Sequence, residues 1–169
     1  MEPFLIIRDS DFGYDTSTPE HYRERRAARA VVYDGEGKIA LLHATKNGYH
    51  KLPGGGIEAG EDELAALRRE AIEEIGCSIK DPQPLGVIEE WRDKFEEHQT
   101  SYCYIAQLDG AKGAPHLEPD EAAEGFETVW VELPEAIKLL EGERGVELYE
   151  AKFMTTRDLA FLRAAQLKR

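Results

Sequence analysis

The segment that most restricts how this chain can fold is Gly54-Gly55-Gly56-Ile57-Glu58-Ala59-Gly60-Glu61, taken with the stretch that runs on to Gly76. Glycine takes backbone angles that other residues avoid, so the run predicts a tight loop whose backbone can approach a phosphate or a metal closely. From about Glu61 to Ile75 the pattern turns helical, and Gly76 is a natural C-terminal stop. At about 100° per residue, Leu64, Leu67, Ala71 and Ile75 form one apolar stripe. Any fold of this chain must therefore seat a glycine loop at the start of an amphipathic helix and cover that stripe.

Strands supply the cover. Ala28 to Tyr33 and Lys38 to His43 are apolar runs around Asp34-Gly35-Glu36-Gly37, the pattern of a hairpin. Leu85 to Trp91, Thr100 to Leu108 and Val129 to Val131 read as further strands, with a turn at Pro82 to Pro84 and a long acidic loop from Gly110 to Gly125. Leu133-Pro134 opens a helix, and Leu148 to Leu167 has helical spacing. The polar stretch Tyr14 to Arg26 reads as a loop or short helix. Mixed strands with two or three helices predict an α/β sandwich. The 169 residues, without repeat or linker, suit a single domain, 1–169.

On the same helix Glu70, Glu73 and Glu74 fall within an arc of about 100° beside the stripe, since positions three and four apart are neighbours. Like charges so placed destabilise a helix, and a cation relieves them. Hard oxygen donors favour Mg²⁺, Mn²⁺ or Ca²⁺ over zinc, and Mg²⁺ commonly shares carboxylates with substrate phosphates. On charge pattern alone, a solvated helix face with Arg68 and Arg69 paired to their glutamates accounts for the same residues.

The net charge of −13 argues against DNA, RNA and anionic membranes as partners, while a small phosphate-bearing substrate can bind through divalent cations. No apolar run approaches a membrane span, and the N-terminus is a poor signal peptide. Two cysteines fit a reducing cytosol, so the expected location is the cytoplasm. Cys77 reads as a small core residue.

The segment resembles the Nudix box, G-x₅-E-x₇-R-E-U-x-E-E-x-G-U with U aliphatic. Gly55, Glu61, Arg69, Glu70, Glu73, Glu74 and Gly76 hold all seven fixed positions, and only the two U positions depart, as Ala71 and Cys77. The likeness extends over roughly 26–140, because an apolar strand precedes Leu52-Pro53-Gly54-Gly55 and Trp130-Val131 leads into Leu133-Pro134-Glu135-Ala136. It implies a Nudix-like α/β/α sandwich with a central mixed sheet, and hydrolysis of a nucleoside diphosphate linked to another moiety by water attack at phosphorus. It implies Mg²⁺, or Mn²⁺, held by Glu73 and Glu74, with Glu70 as ligand or general base. Arg69 is implied to orient the carboxylates, Glu61 to link loop to helix, and Gly54 to offer a backbone carbonyl. A further ligand is implied from the later loop, Glu124 first, then Glu121 and Glu118.

For substrate, Glu90-Trp91-Arg92-Asp93, about 15 residues past the box, lacks the Pro that the resemblance associates with ADP-ribose-cleaving members, and Phe95 is the nearest aromatic to the Tyr associated with dinucleoside polyphosphate enzymes. The coenzyme A signature is missing. By elimination the resemblance implies a MutT-like nucleoside triphosphate pyrophosphohydrolase, including one that removes oxidised nucleotides. Nucleotide-sugar or dinucleoside polyphosphate hydrolysis is the alternative, and a non-catalytic nucleotide-binding regulatory domain is the alternative of another class. Tyr49, Trp91 and Phe95 are candidates to stack on a base, and His50 and Lys51 to reach a phosphate; packing or surface roles stay open for each. Tyr102, Tyr104 and Phe126 read as core or interface. The lead-in, 1–25, and the helix over 148–167 lie outside the resemblance, and each has two roles open: a cap on the substrate pocket or a homodimer interface.

Overall fold

The computed structural model describes residues 1–168. Its centre is an eight-stranded mixed sheet. The strands are β1 (Leu5–Arg8), β2 (Arg23–Tyr33), β3 (Ile39–Ala44), β4 (Tyr49–Lys51), β5 (Gly54–Gly56), β6 (Ser78–Arg92), β7 (Glu97–Asp109) and β8 (Phe126–Val131). They run in the order β1-β6-β7-β2-β3-β4, with β5 added on β2 and β8 on β3. The β1–β6 and β2–β7 pairs are parallel and the others antiparallel. Four helices accompany them: α1 (Glu63–Ile75), the short α2 (Pro119–Ala123), α3 (Leu133–Gly142) and α4 (Tyr149–Leu167).

Successive side chains of a strand point to opposite faces, and β2 and β3 use this to build two cores. Val31, Tyr33, Ile39 and Leu41 pack with Leu133 and Leu140 of α3 and with Phe153, Leu159 and Phe161 of α4. Their neighbours Ala28, Ala30, Val32, Ala40 and Leu42 pack with Ala66, Leu67, Ala71 and Ile75 of α1. The alanines on that face leave room for α1 to lie close to the strands. The result is an α/β fold around a central mixed sheet, and α4 shares its core with β2 and β3.

Several local expectations change. Arg23 to Arg26 are strand, because β2 continues upstream in register with β7, where Arg23 meets Glu97 and Arg25 meets Gln99. Cross-strand pairing of polar groups thus replaces the apolar alternation that sequence reading relies on. Pro82 to Pro84 make no turn. They lie within β6, where register shifts between Lys80/Gln83 and Pro84/Gly86 excuse them from donating to the ladder. The loop from Gly110 to Gly125 contains α2, and Leu5–Arg8 adds a strand beside β6. No helix among the described residues is long and apolar enough to cross a membrane.

Candidate active site

Helix α1 starts at an Asp62 cap, whose side chain accepts a 2.8 Å hydrogen bond from Ala65 N, and ends in a left-handed turn at Gly76. Its buried stripe is rotated from the expected one: Ala66 is buried and Leu64 only half-buried, and Glu70 and Glu74 turn toward the sheet, 7% and 1% exposed. Glycines make this rotation fit. A Cβ on Gly55 would stand 2.3 Å from Glu70 Oε1, and one on Gly54, whose φ is +134°, would stand 2.1 Å from the Ala28 carbonyl oxygen. Gly54 N donates to Glu74 Oε2 at 2.6 Å, and Gly54 O accepts from Arg29 Nη1 at 2.8 Å.

Arg69 ties loop and helix together. Its Nε and Nη2 donate to the two oxygens of Glu61 at 2.8 and 3.0 Å, the bidentate geometry that suits guanidinium and carboxylate. Nη2 also donates to Gly56 O at 2.9 Å, and Nη1 to Glu70 Oε1 at 2.9 Å and Glu73 Oε2 at 3.1 Å. The Arg69 hydrogen bonds and the Glu58 N–H hold the Glu61 carboxyl down at about 2. Burial acts the other way on its neighbours: it raises the Glu70 carboxyl and pushes that of Glu74 up to about 7, against the pull of Lys51 and the Gly54 N–H. Lys51 Nζ lies 3.0 Å from Glu74 Oε1.

Among the described residues, ligand oxygens of Glu70, Glu74 and Glu121 lie within 4.8 Å of one another. Three hard anionic donors beside a glycine backbone are a donor set that Mg²⁺ or Mn²⁺ accepts. Two expected ligands stand elsewhere. Glu73 is held by Arg69 and does not line the cavity, and Glu124 lines it but accepts from the Tyr49 hydroxyl at 3.0 Å. Helix α2 explains the change in the loop, since its single turn brings Glu121 to α1 and leaves Glu124 at the C-cap. Glu118 is the N-cap of α2 and takes no part in the cluster.

The cluster opens into a cavity of about 610 Å³. Tyr49, Lys51 and Phe95 line it, with Phe95 40% exposed, and so does Phe126, which lies under the Lys51 ammonium. Trp91 does not. It stacks on His98 at 3.8 Å and meets Tyr22 edge-on, while Glu90 and Arg92 take the inward positions on either side of it in β6. His50 pairs with Glu143 and stacks on His43 at 4.2 Å, away from the cavity. Cys77 is buried in the α1 core.

Sequence reading missed a set of arginines. Arg25, Arg29 and Arg92 line the cavity, and Arg29 Nε and Arg92 Nε are buried without a hydrogen-bond partner among the described residues. Behind them Arg157, Asp158, Glu90 and Gln99 form a buried polar network: Arg157 donates to Asp158 at 2.7 Å, and Gln99 to Glu90 at 2.6 Å. The available signal was alternation: Arg25 and Arg29 occupy the same strand face as Val31 and Tyr33, where a solvated charge does not belong.

The profile of the NUDIX domain family matches residues 23–152. A human protein named diphosphoinositol polyphosphate phosphohydrolase 3-beta is 29% identical over 134 residues, 78% of this chain and 77% of that protein. A MutT NUDIX hydrolase structure from Burkholderia pseudomallei superposes with a TM-score of 0.55 at 26% identity, covering 66% of this chain and 85% of the other. A NUDIX hydrolase from Nitrosomonas europaea shares the fold, with a TM-score of 0.66 at 16% identity over 86% and 90% of the two chains. With the box residues gathered around one glycine turn and the profile spanning most of its length, this chain belongs to the NUDIX family.

Proposed function

We propose that this hydrolase of phosphoric anhydride bonds is Mg²⁺-dependent and cleaves a small phosphorylated substrate, a nucleoside triphosphate first among them. The observation that carries the reading is the approach of Glu70, Glu74 and Glu121 oxygens to within 4.8 Å beside Gly54–Gly56. Carboxylates this close in a partly dry site repel strongly, and a bound divalent cation removes the repulsion. Glu70, Glu74 and Glu121 would hold the ion, with the Gly54 carbonyl beside them and Glu73 exchanging between Arg69 and the metal. Such an ion supplies positive charge to phosphate oxygens and lowers the pKa of water.

The chain's own groups do the rest. Arg69 positions Glu70 and Glu73 and fixes the loop through Glu61 and Gly56. In the alternative to its role as a ligand, Glu70, held by Arg69 at 2.9 Å, is the general base that takes the proton of the attacking water. Lys51 passes from Glu74 to a substrate phosphate. Phe95, exposed at the cavity edge, offers a face to a nucleobase. Seven carboxylates line the cavity (Glu70, Glu74, Glu97, Asp120, Glu121, Glu124 and Glu150) against four cations, Arg25, Arg29, Lys51 and Arg92, so a polyanion is accepted only together with divalent ions. Cys77 and Cys103, free and buried, fit a reducing cytoplasm.

The arginine wall favours a second reading. Three arginines lining one cavity, Arg25, Arg29 and Arg92, suit a substrate with phosphates remote from the anhydride, and a diphosphoinositol polyphosphate is such a compound. The test is incubation with Mg²⁺ and a panel of nucleoside triphosphates, dinucleoside polyphosphates, nucleotide sugars and a diphosphoinositol polyphosphate, with products identified by phosphorus NMR. Release of pyrophosphate from a triphosphate supports the first reading, and release of orthophosphate from the inositol compound the second. No product from any of them rejects both.

A further inference from the structure

We propose that α4 is a working part of the active site. Asp158 is a positioning residue that holds the Leu52–Gly54 segment in place, and through it the Gly54 backbone at the carboxylate cluster. This rests on the reading of that cluster as a metal site.

Asp158 and Arg157 are both 0% exposed. Complete burial of charged groups is costly, and apolar side chains of similar volume would fill the same space without that cost. What the carboxylate does is visible in its contacts. Oδ1 accepts from Arg157 Nε at 2.7 Å, and Oδ2 accepts from the backbone N–H of Leu52 at 2.8 Å. Leu52 lies between the end of β4 and the start of β5, and Pro53 has no N–H to offer. Asp158 therefore supplies the acceptor for the one backbone N–H of this two-residue link.

The next two residues are held by β2 of the same sheet and by α1. Pro53 O accepts from Ala30 N of β2 at 3.0 Å. Gly54 N donates to Glu74 of α1 at 2.6 Å, and Gly54 O accepts from Arg29 of β2 at 2.8 Å. Proline fixes its own φ, which leaves this short link fewer torsions in which to absorb a displacement of Leu52 before it reaches Gly54. Arg157 keeps the Asp158 carboxylate oriented, and its Nη1 reaches Glu90 Oε2 at 3.3 Å, which anchors the pair to β6. Both residues lie beyond residue 152, where the family profile ends.

The experiment measures Mn²⁺ binding to the substrate-free protein, by the electron paramagnetic resonance of free Mn²⁺, in the wild type, Glu74→Gln, Asp158→Asn and the double variant Arg157→Met/Asp158→Leu. The double variant replaces the Arg157–Asp158 pair by apolar groups and leaves buried Glu90 with Arg92 at 2.8 Å and Gln99 at 2.6 Å as its remaining partners. Positioning predicts Mn²⁺ affinity about 10-fold or more below wild type in the double variant, the scale seen for groups that orient metal ligands. Asp158→Asn keeps an oxygen for Leu52 N–H, so it recovers most of that affinity. If the double variant does not fold, near-wild-type Mn²⁺ binding by Asp158→Asn together with slow amide exchange at Leu52 supports the role, and fast exchange at Leu52 with unchanged Mn²⁺ binding overturns it. Wild-type affinity in a folded double variant, with Glu74→Gln weakened, overturns the role of Asp158 alone. Equal binding by wild type and Glu74→Gln removes the metal site and this role with it.

Discussion

Lys51 Nζ sits 3.0 Å from Glu74 Oε1, so the most buried carboxylate of the cluster already has a cation beside it. Lys51→Met leaves Glu74 without this partner. The metal-free protein should lose about 1–3 kcal/mol, the cost of an unsatisfied buried polar group. In a thermal melt that is a drop of about 2–12 °C for a chain of this size. Saturating Mg²⁺ should restore most of it, because the ion replaces the ammonium. An unchanged melting temperature without metal would show that the pair contributes nothing.

Glu74 and Glu73 are adjacent in sequence but differ in surroundings, and substitution should separate them. Glu74→Gln should lower turnover by about 10²–10³-fold, as expected when several kcal/mol of metal-centred stabilisation is lost. Glu73→Gln releases Arg69 Nη1 from one of two acceptors and should cost about 10-fold. Steady-state rates at saturating Mg²⁺ check both, and equal losses would place Glu73 among the principal ligands.

Glu121→Gln should weaken Mn²⁺ binding and slow turnover, whereas Glu124→Gln should leave Mn²⁺ affinity near wild type. The latter carboxylate faces the Tyr49 hydroxyl and not the cluster. Titration of both variants with Mn²⁺ decides the order, and the reverse order would mean that α2 repacks when the ion binds.

Glu90 predicts an acid limb in stability. Burial works against its charge, but Arg157 and Arg92 overcome that and hold the carboxyl at about 2, below the ordinary 4.5. Between these values the unfolded chain binds the proton and the folded chain does not, so stability rises with pH. The contribution is fully present above about pH 4.5 and lost as pH falls toward 2. Urea unfolding of wild type and Glu90→Gln from pH 5 down to pH 3 should show a shallower slope in the variant.

The sequence was most legible where a local rule acts alone. Helix α1, its glycine stop and the hairpin at Asp34–Gly37 arise from residue spacing and turn chemistry, and the structure has them. Reading weakened where partners distant in sequence decide. Arg23 to Arg26 become strand because β7 offers Glu97 and Gln99 opposite them. Trp91 turns away from the cavity that its neighbour Arg92 lines, because the register shifts between Lys80/Gln83 and Pro84/Gly86 set which face each later residue of β6 takes. The choice of Glu121 over Glu124 depends on a helical turn of five residues inside an apparent loop. Arg157-Asp158 resembles any charged pair on a wet helix until the sheet covering it is known.

Strand β2 divides its work residue by residue: Ala28 and Ala30 meet α1, while Arg25 and Arg29 enter the cavity. Inserting or deleting one residue between Arg25 and Val31 would exchange the two sets. A guanidinium would be driven into the alanine seat of α1, and Gly54 would lose the donor on its carbonyl. Length can therefore change in the link between Phe12 and Arg23, outside any strand or helix, whereas within β2 the chain can change only by replacing one residue with another.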